Sequence, residues 1–165
     1  MAALHSEEDL VTRTDTASIH IPAIPGMVFA ALVDPDALAA WLPPDGMAGT
    51  LTDFVPGPGG QFRIVLTYQD PAGADPKSGA DADVVEARIS EVDPDARLVW
   101  QVDFDSEDAR FAGTMTMTWT TQPDGDGTRV TVTASDVPPG IGEADHLEGL
   151  RSSLEHLRGY VSRGF

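Results

Sequence analysis

Near its C-terminus the chain repeats Leu147, Leu150, Leu154, Leu157 and Val161 at three- and four-residue spacing. That spacing lays one apolar stripe along a helix of about Glu143 to Val161. The stripe must be buried against a large apolar surface, and strands supply the only one in the chain. Alternating segments run at about Thr14 to Ile21, Met47 to Phe54, Phe62 to Tyr68, Val84 to Val92, Leu98 to Phe104, Phe111 to Thr121 and Thr128 to Ala134. Each is bounded by Gly, Pro or Asp clusters. Asp93-Pro94-Asp95 and Asp124-Gly125-Asp126-Gly127 have the residue types of hairpin turns. A curved antiparallel sheet of six to seven strands wrapped around a long C-terminal helix, an α+β helix-grip architecture, is the fold these patterns predict.

Between the first two strands the punctuation changes. Pro22 and Pro25 end the strand and open a helix from about Pro25 to Val33, where a first-turn proline is tolerated. Asp34 is placed to cap a second helix that begins at Pro35 and turns Ala37, Leu38, Ala40 and Trp41 inward. Two short helices therefore form a V after the first strand. The first 13 residues are polar and aperiodic and read as a flexible tail, leaving 14–165 as a single domain. Gln69 to Asp81, rich in Ala, Gly, Asp and Pro, reads as a mobile loop.

Charge removes whole classes of partner. With 27 acidic against 10 basic residues the net charge is -17, so phosphate backbones and anionic lipid headgroups are repelled. Neither nucleic acid nor a membrane surface is an expected partner. The absence of cysteine excludes disulfides and thiolate chemistry. No stretch has the length of a membrane span or the layout of a secretory leader, which points to the cytoplasm. No His-Glu-x-x-His, Asp-rich calcium loop or nucleophile elbow is present, so neither a metal nor another cofactor is expected and no catalytic residue is assigned. Gly57-Pro58-Gly59-Gly60 lacks the Lys and Ser/Thr of a phosphate loop and reads as a turn.

Strand phase then sorts the interior. Phe111, Gly113, Met115, Met117 and Trp119 share one face, and Thr114, Thr116, Thr118 and Thr120 share the other, so the methionine-tryptophan face must look inward. The same phase groups Phe62, Ile64, Leu66 and Tyr68, and likewise Leu98, Trp100, Val102 and Phe104. Aromatics and methionines make adaptable apolar walls, whether they fill a core or line a cavity. His146, next to Leu147 and one turn before Leu150, either reaches such a cavity as a hydrogen-bonding or acid-base group or stabilises the start of the helix. His156 falls on the outer side of that helix.

The order Phe29-Ala30-Ala31-Leu32, Asp34-Pro35, Trp41-Leu42-Pro43-Pro44 and Gly57-Pro58-Gly59-Gly60-Gln61-Phe62-Arg63 resembles the Hsp90-ATPase-activator-homologue-like family. So does the later run Val137-Pro138-Pro139-Gly140-Ile141, Asp145-His146, Gly149-Leu150. That family lies within the START-like or Bet v 1-like group, also labelled SRPBCC or "polyketide cyclase". The resemblance implies a cavity with Trp41 at its rim and His146 on its lid side. Combined with strand phase, it nominates Trp41, Tyr68, Trp100, Met115, Met117, Trp119, His146 and Leu150 as ligand-binding residues. The function implied is non-catalytic binding of a small hydrophobic or aromatic, lipid- or polyketide-like molecule. The resemblance also admits a stress-linked co-chaperone-like interaction module, or a cyclase, dehydratase or hydrolase using Tyr68, His146 or Asp103. The group admits homodimers, although no exposed apolar stripe demands one.

Overall fold

A computed structural model describes residues 13–68, 82–104 and 109–163, with the side chains at 68, 82 and 83 excepted. The expectations for the N-terminal tail and for the Gln69 to Asp81 segment lie outside the described residues. Seven strands and three α-helices follow in the order β1 (Asp15–Ile21), α1 (Pro25–Val33), α2 (Pro35–Trp41), β2 (Met47–Val55), β3 (Gln61–Tyr68), β4 (Ala82–Asp93), β5 (Arg97–Phe104), β6 (Met115–Asp124), β7 (Gly127–Ser135) and α3 (Glu143–Ser162). A single 3₁₀ turn, Ala109–Phe111, precedes β6.

The strands form one antiparallel sheet in the order β1-β7-β6-β5-β4-β3-β2. The two short helices carry the chain from β1 at one edge to β2 at the other, and the meander from β2 to β7 brings it back. Irregular register between Thr52 and Val55, and again between Ile89 and Glu91, bends the ladder. At the first of these Asp53 takes a positive φ of 57°. The sheet curls around α3 as the helix-grip reading requires.

Local chemistry accounts for the helical pair. Asp34 Oδ1 accepts the backbone N–H groups of Asp36 and Ala37, at 2.8 and 3.5 Å, which satisfies two donors freed at the start of α2. At the other end of α2, Trp41 is fully buried and donates its indole N–H to the carbonyl of Ala31 at 2.8 Å. Ala31 is in the last turn of α1, where carbonyls have no helical partner. One side chain therefore ties the two helices together.

Burial follows the predicted phases, with one correction. Along β6 Met115, Met117, Trp119 and Thr121 are buried and the intervening residues are more exposed. The strand starts at Met115, however, and not at Phe111: Gly113 adopts φ 94°, and Phe111 belongs to the 3₁₀ turn. On α3 Leu150, Leu154, Leu157 and Val161 are buried together with Ser153. The helix lies closest to β1, α1 and α2. Its approach to the central strands is wider, and there the interior stays open.

Candidate functional site

Strands β3 to β6, the first half of α3 and the segment 140–142 line a half-open cavity of about 410 Å³. The volume falls within the range of small-molecule sites, roughly 300–1,000 Å³. Its walls are mostly apolar, with Phe62, Trp100, Trp119, Met115 and Met117 presenting flat and polarizable surfaces. The aromatic rings form a chain. Trp119 meets Trp100 with centroids 5.2 Å apart, Trp100 meets Phe62 edge-on at 5.0 Å, and Trp41 meets Trp119 edge-on at 5.3 Å. A second space of about 340 Å³ lies toward α1 and α2, and Phe62 and Trp100 line both.

Of the nominated residues, Trp100, Met115, Met117, Trp119, His146 and Leu150 line the larger cavity. Trp41 is a correction: it is not at a rim but in the core behind Trp119, held by its bond to Ala31. Its position as the last residue of α2 is as predicted, but α3 and the sheet close over it. Tyr68 ends β3, and its side chain lies outside the described residues. Asp103 is also a correction as a candidate acid or base. It stands on the outer face, bonded to Arg88 at 2.9 Å and to the Thr114 hydroxyl at 2.7 Å.

α3 is stitched over the opening by polar contacts with the turn after α2. The Ser153 hydroxyl donates to the carbonyl of Leu42 at 2.6 Å, and the backbone N–H of Asp45 donates to Ser152 Oγ at 2.9 Å. His156 does not face free solvent from the outer side of the helix. Its ring contacts the carbonyl of Pro43 at 2.9 Å and the Asp45 carboxylate at 2.7 Å. Leu42 and Pro44, carried by the same turn, line the cavity.

The polar end of the cavity rests on a carboxylate that sequence reasoning missed. Asp15 opens β1 on the same inward phase as Ala17, Ile19 and Ile21. Its carboxylate has no exposed surface. Oδ2 lies 2.7 Å from His146 Nδ1, and Arg13 donates to both carboxylate oxygens, at 3.0 Å from Nε and 2.9 Å from Nη2. Burial, the largest single influence, pushes the Asp15 pKa up. The bonds from Arg13 and His146, reinforced by their charges, outweigh it and hold the carboxyl below its ordinary value. An ionised carboxylate only accepts hydrogen bonds, so His146 Nδ1 must be the donor. The missed signal was an aspartate at the head of an inward-facing apolar row, a position that demands a partner.

Trp119 keeps a buried polar atom away from the open space. Its side chain is fully buried against the cavity, and its Nε1–H has no hydrogen-bond partner among the described residues. Among the described residues no group of three or more His, Asp or Glu is placed to hold a metal ion. No described helix is long and apolar enough to cross a membrane.

Comparison with known proteins follows the same architecture. The family model described as "Activator of Hsp90 ATPase homolog 1-like protein" matches residues 22–162. Among curated proteins nothing matches. Protein CV1439 from Chromobacterium violaceum is similar over 90% of this chain and 96% of its own, with 26% identity and a TM-score of 0.79. A protein from Arthrobacter aurescens shares the fold at 19% identity and a TM-score of 0.75, over 91% of this chain and 86% of its own. MLL2253 from Mesorhizobium loti does so at 22% identity and a TM-score of 0.70, over 93% of this chain and 99% of its own.

Proposed function

The chain belongs to the activator of Hsp90 ATPase homolog 1-like family, and from that premise we propose that it binds one small, largely apolar molecule between α3 and the central strands, without catalysis. The cavity of about 410 Å³ carries the reading. A core built only for stability packs at crystal-like density, and space of this size forfeits contacts along its walls. The walls are of the kind that accepts varied flat or branched apolar shapes, with a few polar groups at one end. Lipid-like, aromatic and polyketide-like ligands all fit that description.

Met117 tests it, being buried in the strand face that lines the cavity. The neutral fluorophore 1-aminoanthracene should bind the wild type one-to-one with enhanced emission. Met117→Phe should weaken that binding while costing less than the roughly 1–3 kcal/mol of overpacking a filled core. Loss of stability on that scale, with no probe binding to lose, would mean that the interior is simply a core.

A further inference from the structure

The second space, of about 340 Å³, has a lining unlike that of the first. Asp145, His146 and Ser153 face the larger cavity, whereas no charged, hydroxyl, amide or imidazole side chain among the described residues lines the second. The two lie in series along the strands. Val84 and Phe104 face the larger cavity from one end of β4 and β5, and Ile89, Val92 and Leu98 face the second space from the other end. Between them stand Phe62 and Trp100, both buried, with ring centroids 5.0 Å apart and edge-on. Rings at that distance are in contact and act as a partition, which makes the second space a chamber of its own.

Backbone irregularity builds the walls of this chamber. In a regular strand Ile89 and Val92, three positions apart, would face opposite sides of the sheet. Ile89 pairs with Trp100 and Glu91 with Val99, so Ser90 is the extra residue of a bulge, and Val92 returns to the inner face opposite Leu98. On β2 Asp53 and Phe54 stand together against Phe62, between the Thr52–Arg63 and Val55–Gln61 pairs, and Asp53 adopts φ 57°. Phe54 thereby lines the chamber. The turn that follows is tied to β4 by backbone bonds, Gly59 N–H to the Ile89 carbonyl at 2.8 Å and Ile89 N–H to the Gly60 carbonyl at 2.9 Å. Both irregularities of the described ladder therefore border one space, and its walls are in place before anything enters.

We infer that this chamber is a second binding site, which takes a compact neutral hydrocarbon, alicyclic or branched, with no hydrogen-bonding group. An apolar cavity of roughly 150 Å³ stays dry and takes up benzene. At about 340 Å³ the chamber has room for a skeleton of about ten carbons. A hydroxyl or a carboxylate would be buried there with no described side chain to pair it. Entry is past Pro56 and Pro94, which line the chamber and are exposed. Such a site lies beyond the binding proposed for the larger cavity and stands whether or not that cavity is filled.

Methyl-resolved NMR of the wild-type protein separates the two spaces, because Ile64 and Val102 line only the first, and Ile89 and Leu98 only the second. Limonene, a hydrocarbon of the size required, is the probe, and α-terpineol, the same skeleton with a hydroxyl, is its control. With 1-aminoanthracene saturating the larger cavity, limonene should still shift the Ile89 and Leu98 resonances saturably. α-Terpineol should bind there about tenfold more weakly, the cost of an unpaired buried hydroxyl. Val92→Phe and Val33→Phe each add a ring to the chamber, from β4 and from α1, at half-buried positions. Each should weaken limonene at least about tenfold and leave 1-aminoanthracene affinity unchanged. Ile89 and Leu98 resonances that do not respond, limonene shifts that vanish once 1-aminoanthracene is bound, equal affinity for α-terpineol, or unchanged limonene binding in both variants would each overturn the inference. The wild-type response is recorded also without the fluorophore, and it is read at Ile89 and Leu98 separately from Ile64 and Val102, so failure of the second site and failure of the larger cavity are told apart.

Discussion

Replacing Asp15 by Asn keeps the shape of the most constrained polar group in the molecule and removes its charge. In the wild type one buried carboxylate accepts from Arg13 at 2.9 and 3.0 Å and from His146 at 2.7 Å. A hydrogen bond to a charged group contributes about 1.5–3 kcal/mol; an amide oxygen at the Oδ2 position still accepts from both partners, but as a neutral acceptor, and the amide NH2 replaces the oxygen that faces Arg13 Nε. Arg13 is 31% exposed and regains water when released, so its share is largely recovered. His146 is much less exposed, and its share is not. The expected loss is therefore about 2–3 kcal/mol, below the 3–5 kcal/mol of breaking a fully buried pair. For a chain of this size that lowers Tm by roughly 4–12 °C.

The pH dependence of that loss has a definite sign. The folded-state pKa of Asp15 lies below the ordinary 3.8, so the carboxylate's contribution is fully present above that value and is lost as pH falls through the folded-state one. Arg13 and His146 face the group from β1's approach and from α3, and Glu143 interacts with Arg13 across the same corner. Urea unfolding of both proteins should give the full deficit at pH 7. The curves should converge toward the acid limit of wild-type folding, where Asp15 is protonated and nearly isosteric with Asn. A deficit under about 0.5 kcal/mol at pH 7 would refute the reasoning, since one charge-assisted bond alone exceeds it. So would a deficit that does not change with pH.

Three other outcomes follow from the structure. Trp41→Phe leaves the Ala31 carbonyl without its buried donor and should cost about 1–3 kcal/mol by urea unfolding, with 1-aminoanthracene affinity unchanged because Trp41 does not line the cavity. Gly60→Ala would place a Cβ 1.9 Å from the carbonyl oxygen of Val55, so the turn into β3 must move. Thermal unfolding should register more than the roughly 0.4–1 kcal/mol associated with compatible glycine replacements, in the destabilising direction. Sodium chloride raised to about 0.1 M, where the screening length is about 10 Å, should raise Tm by relieving the repulsion of a net charge of -17. A steady fall in Tm over that range would contradict it.

Much of the architecture was already legible along the chain because it depends on neighbours in sequence. The stripe from Leu147 to Val161 is a property of helical spacing: Leu150, Leu154, Leu157 and Val161 are buried as it requires, while Leu147, in the first turns of the helix, is only partly buried. Asp34 and Pro35 mark the start of α2 through local hydrogen bonding and a fixed φ. The inward phase of Met115, Met117 and Trp119 survived a misplaced strand start, because a period of two carries forward from any correct point. The error at Phe111 arose at Gly113, whose positive φ interrupts a pattern that residue types alone seemed to continue.

What the tertiary structure decided lies in distances across the sequence. Asp15 and His146 are 131 positions apart, and each alone reads as an ordinary acid or a helix-start histidine; only the closure of β1 beside α3 makes them one polar unit. Trp41 and Trp119 are indistinguishable as residue types, yet folding gives one a carbonyl and leaves the other unpartnered among the described residues. The cavity is decided in the same way. Apolar alternation says that Trp100 and Met117 face inward, but whether facing side chains meet or stand apart depends on sheet curvature and on how far α3 sits from the central strands. Periodicity encodes direction, whereas packing distance is set by every element at once.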